Sequence, residues 1–181
     1  MWLAAAPPLK DTLQYISWEE AQKQDPLSVI AIDFTKQKLD SLPAALSAYS
    51  NIQGIRLSKN KLTQLPSFFK DFKALRFIHL NNNKFEVFPY QVFHLPEVVY
   101  LDISKNQIEK VPMGIKSLQK LVYLDLWSNS LSSLPEELTE LPDLQFVDAR
   151  GRTYSPSFVE GWLDKLPNVT IKFDKPCKCM E

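Results

Sequence analysis

The chain has 181 residues, enough for one domain with a sizeable core and short of two ordinary ones. Hydrophobic residues make up 45% and charged residues 23%, the balance of a globular rather than a disordered chain. Basic and acidic side chains number 21 each, which argues against a nucleic-acid binder, whose affinity draws on surplus cations. Four glycines leave little material for phosphate-cradling loops, and no apolar run reaches the roughly 18 residues a membrane span needs.

In chain order, residues 1–8 hold a short apolar stretch with small residues and no basic n-region. No complete signal peptide is read there, and cytoplasmic and exported locations both stay open. Ser17-Trp18-Glu19-Glu20 has the spacing of a capping box, with Ile16 and Ala21 placed for a hydrophobic staple. It predicts a helix over 18–24, stopped by Asp25-Pro26.

A period of 23 then begins: Val29, Ile52, Leu75, Val98, Leu121 and Leu144 each follow the last by 23 residues. In five units, apolar residues recur at unit positions 1, 4, 6, 11, 14, 18 and 21, as in Val98, Leu101, Ile103, Ile108, Val111, Ile115 and Leu118. Position 9 carries Asn60, Asn83, Asn106 and Asn129, and position 15 carries Pro43, Pro66, Pro89, Pro112 and Pro135. Alternation around positions 4 and 6 reads as a short strand. A buried Asn amide both donates and accepts, so a column of them can satisfy backbone groups where the chain leaves the sheet. Proline has no N–H and a preset φ, which suits an extended return segment and short turns rather than long helices.

The unit from Leu144 keeps Val147 and then departs: Arg152 stands in the Asn column and no Leu-Pro step follows. Residues 156–166 read as a helix with Phe158, Val159, Trp162, Leu163 and Leu166 on one face. Val169, Ile171 and Phe173 then alternate as a strand over the open edge. Cys177 and Cys179 are too close for an unstrained bridge and supply half of a four-ligand metal set, so neither a metal site nor a cofactor is expected.

The pattern Leu-x-x-Leu-x-Leu-x-x-Asn-x-Leu-x-x-Leu-Pro resembles the leucine-rich repeat family, in its 23-residue class with a Leu-Pro step. The Ser-x-Glu-Glu-Ala front cap resembles that of small bacterial proteins of this family. The resemblance implies an α/β fold, a right-handed solenoid with a curved parallel sheet, short turns or 3-10 helices on the convex side, and helical caps at both ends. Its divisions are an N-terminal tail and capping helix over 1–28, five full repeats and a partial one over 29–147, and a C-terminal cap and tail over 148–181.

Catalysis needs a nucleophile, a base and an orienting group brought together. Here Cys177 is on a terminal tail while His79 and His94 fall at repeat positions, so the chain is read as not an enzyme. Binding is the alternative, because outward residues of a parallel sheet form fixed columns free of core duty. Position 3 ends in Phe77, Tyr100, Tyr123 and Phe146, and position 5 ends in Asp102, Asp125 and Asp148. Val99 and Val122 at position 2 and Trp127 at position 7 complete the expected partner-binding set. Its N-terminal half looks smaller and more basic, with Lys36, Lys59 and Lys105 at position 8. The expected partner is an unknown protein or peptide with basic or aromatic side chains, held by a monomer, with no nucleic acid and no membrane span. The alternative is self-assembly through the convex side, where Phe68, Tyr90 and Phe93 fall at non-core positions.

Overall fold

One strand forms per repeat, and the strands lie side by side in sequence order. A computed structural model describes residues 10–175. Strands β1 (Ile16–Ser17), β2 (Ala31–Asp33), β3 (Gly54–Arg56), β4 (Phe77–His79), β5 (Tyr100–Asp102), β6 (Tyr123–Asp125), β7 (Phe146–Asp148) and β8 (Thr170–Lys172) form one parallel sheet in that order. Ile32, Ile55, Ile78, Leu101, Leu124 and Val147 stand in register across it. The sheet is curved and open, as a solenoid requires. Both ends continue the same ladder: Ile16 pairs with Ile32 at the front and Ile171 with Val147 at the back.

Each strand is short because the chain turns away at unit position 8. Lys36, Lys59, Asn82, Lys105 and Ser128 all have φ between 52° and 62°, and Gly151 has φ of 112°. A left-handed conformation costs a side-chain-bearing residue roughly 1 kcal/mol. The turn offsets that cost by keeping its donor bonded: Lys59 N–H donates to Asn81 O, Lys105 N–H to Trp127 O and Ser128 N–H to Arg150 O.

The Asn column meets the need that its chemistry predicts. Asn106 Nδ2 donates to Leu80 O and Ile103 O at 3.2 and 3.0 Å, and its Oδ1 accepts from Phe85 N–H at 3.1 Å. Asn60, Asn83 and Asn129 repeat the arrangement one coil apart, and all four are buried. Each amide thus ties three or four backbone groups of two neighbouring coils. Arg152, in the same column, donates to Leu131 O instead. The prolines stand at extended backbone and open the 3-10 helices Ala44–Ala48, Ser67–Asp71, Tyr90–His94, Met113–Ser117 and Glu136–Glu140. Between sheet and 3-10 helices, every periodic apolar residue of the five units is buried except Leu39, which is partly buried against the core.

The caps differ from expectation in detail. Helix α1 spans Trp18–Ala21, one turn rather than the 18–24 predicted. Its capping box is complete, with Ser17 Oγ accepting from Glu20 N–H and Glu20 Oε2 from Ser17 N–H. Only Ala21 is buried, and Gln22, Lys23 and Gln24 have no apolar group to hold a second turn on the core. Ile16 pairs in β1 with Ile32. Trp18 lies 5.3 Å from Phe34 and 5.2 Å from Tyr49 between ring centroids, closing the first coil. At the other end α2 (Pro156–Lys165) is capped by Ser155, whose Oγ accepts from Phe158 N–H. Trp162 and Leu166 are buried and Phe158 packs on the core, but Leu163 is 45% exposed. The helix rests on a flat coil end, which covers the i, i+4, i+8 stripe and not the residue beside it. Cys177 and Cys179 lie outside the described residues.

Candidate functional site

Register turns outward residues into two columns on the sheet. The first runs Ala31, Gly54, Phe77, Tyr100, Tyr123, Phe146, and the second runs Asp33, Arg56, His79, Asp102, Asp125, Asp148. From β5 to β7 the aromatic rings stack face to face, Tyr100 on Tyr123 and Tyr123 on Phe146, each at 4.6 Å and 6°. Phe77 continues the ladder at 6.3 Å from Tyr100. Arg76 and Lys172 place cations over the terminal rings, Phe77 and Phe146. Val99 and Val122 lie half-buried beside the ladder. Trp127, 38% exposed, stands on the rim with Lys105 Nζ 4.5 Å and Arg150 Cζ 5.8 Å from its ring centroid.

The aspartates serve the backbone first. Asp33, Asp102, Asp125 and Asp148 each accept, through Oδ1, the N–H two residues ahead, closing the strand end with an Asx turn. That role follows from local spacing alone. It leaves Oδ2 of Asp102 and Asp125 without a hydrogen-bond partner among the described residues. Asp148 is different: both its oxygens bind the Arg150 guanidinium, and it is buried. Burial pushes the Asp125 carboxyl up to about 7, with Asp102 and Asp148 raising it further while Trp127 N–H and Arg150 act against them. Burial and the neighbouring Asp125 and Asp102 push the Tyr123 hydroxyl up to about 12.

The N-terminal half of the sheet is covered by the chain itself. Residues 10–15 run across it with Asp11, Leu13 and Tyr15 turned inward and their neighbours exposed. Asp11 Oδ2 accepts from Tyr15 Oη at 2.6 Å and lies 3.3 Å from His79 Nε2 and 3.5 Å from Arg56 Nη2. Arg56 Cζ sits 3.7 Å from the Tyr15 ring centroid. Gly54 makes room: a Cβ there would meet Tyr15 Oη at 2.5 Å and a Leu13 methyl at 2.6 Å. Around Gly54, Arg56 and His79 this half is therefore occupied, while Lys36, Lys59 and Lys105 at position 8 are exposed. Two signals of it stand in the sequence, the alternation Asp11, Leu13, Tyr15 and the break of both columns at Gly54 and Arg56.

Of the ten residues expected to bind a partner, Tyr100, Asp102, Val99, Val122, Tyr123, Asp125, Trp127 and Phe146 gather on β5 to β7, just ahead of β5 and β6, and on the turn after β6, with partial exposure. Phe77 at 6% and Asp148 at 3% exposure are taken up by the protein's own packing and ion pairing. On the convex side Phe68 and Phe93 pack against the core, and Phe93 stacks on Phe88, so of the three aromatics named there only Tyr90 is exposed. A groove of about 540 Å³ crosses the turns between Leu42, Leu65, Phe88 and Tyr90, away from the acidic column.

A leucine-rich repeat family model matches residues 50–108 and 96–151, together more than half of the chain. Among solved structures, a leucine-rich repeat protein of Leptospira interrogans has a TM-score of 0.70 and 27% sequence identity to this chain. The match covers 82% of this chain and 37% of that one, so this chain spans little more than a third of that protein's length. No curated protein is similar enough in sequence to match. Among the described residues no helix is long and apolar enough to cross a membrane.

Proposed function

Because this chain belongs to the leucine-rich repeat family, whose members are generally non-enzymatic interaction scaffolds, we propose that its sheet from β5 to β7 binds a protein or peptide through a basic side chain. The observation that carries this reading is Asp125: a half-buried carboxylate, flanked in register by Asp102 and Asp148, with Oδ2 unpaired among the described residues. Adjacent strands set like charges about 4.8 Å apart, which is unfavourable unless a cation lies over them. A partner ammonium or guanidinium above Asp102 and Asp125 relieves that repulsion. The Tyr100–Tyr123–Phe146 ladder supplies a rigid apolar floor beside it, with little rotamer freedom to lose. Trp127 provides the exposed anchor at the rim.

The test is calorimetric titration with the partner isolated by affinity capture on the full chain. Trp127→Ala and Asp125→Asn are each expected to weaken binding by about 2 kcal/mol, roughly 30-fold. Binding a cation requires Asp125 ionised, so affinity rises about tenfold between pH 6 and pH 8 as its proton leaves near 7. Wild-type affinity in both variants overturns the proposal.

A further inference from the structure

We infer that residues 10–15 are a built-in ligand of the sheet's N-terminal half, and that a partner segment with the chemistry Asp-x-Leu-x-Tyr displaces them. This site lies on β3 and β4 and goes beyond the reading of β5 to β7. The groove is shaped for its occupant. Gly54 is the one member of the first column with no side chain, next to Phe77 and ahead of the aromatic ladder, and Leu13 and Tyr15 fill the space it leaves. Arg56 and His79 replace aspartate in the second column where the Asp11 carboxylate arrives, a guanidinium and an imidazole in place of two carboxylates; the column is basic again at Lys172 on β8, which the strap does not reach. The complementarity is threefold: acid on Arg56 and His79, phenol ring against the guanidinium, and aliphatic side chain over glycine.

The way the strap is held marks it as displaceable. No backbone-to-backbone hydrogen bond joins residues 10–15 to the repeats, whereas every later coil is stitched to its neighbours through the main chain. Side chains alone hold it, and side chains of the same types on another protein can take the same places. Asp11 is 10% exposed, and its bonds from Leu13 N–H and Tyr15 Oη prefold the segment for the groove. A tethered strap competes at an effective concentration in the millimolar range, so the apparent affinity of a free segment is its intrinsic affinity multiplied by the fraction of time the strap is unseated.

The experiment uses a fluorescein-labelled peptide of residues 10–17 and the full chain, read by fluorescence anisotropy. The triple variant Asp11→Ala, Leu13→Ala, Tyr15→Ala loosens the strap and leaves Gly54, Arg56 and His79 untouched. It is expected to bind the peptide at least tenfold more tightly than wild type. The milder Asp11→Asn carries the same comparison, with a gain of about threefold, should the triple variant unfold. Adding Arg56→Ala to either background is expected to abolish the gain, and a peptide with Asp and Tyr replaced by Ala is expected not to bind. Equal affinity of wild type and loosened chain, or equal binding of the substituted peptide, overturns the inference. So does a wild-type dimer in light scattering that dissociates on Asp11→Asn, because it assigns the groove to a second copy of the chain.

Discussion

Replacing Asp125 by Asn is expected to stabilise the protein above neutral pH and to leave it unchanged near pH 4. The folded carboxyl holds its proton to about 7, while the unfolded one releases it near 3.8. Between those values the folded state binds more protons, so stability falls as pH rises across that window and stays lower above it. Moving the carboxyl from 3.8 to about 7 is worth roughly 4 kcal/mol, an upper bound for a partly solvated group. Screening by solvent brings the expected difference to about 1–3 kcal/mol. Asn keeps the strand-end turn, since its Oδ1 can still accept from Trp127 N–H, and removes only the buried charge. Two other groups titrate differently: burial lowers His79, and the hydrogen bonds from Tyr15, Leu13 and His79 lower Asp11 against the opposing effect of burial. Both favour the fold as pH rises, opposite in sign to Asp125. The difference between variant and wild type isolates Asp125, because both chains share those groups. Urea denaturation followed by tryptophan fluorescence at pH 4, 6 and 8 measures it. A variant less stable than wild type at pH 8, or a difference that does not grow with pH, refutes the reasoning.

Asn106→Ala removes an amide that serves four backbone groups of two coils and is expected to cost about 3–5 kcal/mol by urea denaturation; a loss under about 1 kcal/mol would mean that water replaces it without penalty. Gly151→Ala and Gly161→Ala are expected to act in opposite directions. At Gly151 φ is positive and a Cβ would come within 2.6 Å of the Ser128 backbone, so the change costs about 2 kcal/mol or more. At Gly161, inside α2, a Cβ meets nothing within 4 Å, and alanine stabilises by roughly 0.5–1 kcal/mol. Thermal melting of the two variants checks the pair, and equal shifts would contradict it.

The two halves of the sheet use one scaffold for opposite chemistry. Every coil delivers its outward residues at the same height and spacing, so changing one residue per coil changes the surface without changing the backbone. From β5 to β7 the second column is acidic beside stacked rings, while at β3 and β4 it is Arg56 and His79 beside Gly54. The two proposed ligands, one basic and one acidic and aromatic, would thus meet separate stretches of the same wall.

The period of 23 by itself specified the strand positions, the buried apolar columns, the Asn amides that bind backbone, and the turns opened by proline. Those features are legible because each coil touches only its neighbours, so a constant spacing along the chain becomes a constant neighbour in space. The strand-end role of the aspartates is equally local, two residues apart, and spacing alone could have carried it. The length of α1 and the exposure of Leu163 were settled by how much core each cap could reach at the ends of the stack. Tertiary structure alone decided that Asp11 meets Arg56 and His79, 45 and 68 residues away. A strap that crosses the coils obeys no period; its partners are fixed by where the folded surface leaves room and opposite charge, and both exist only once the coils are stacked.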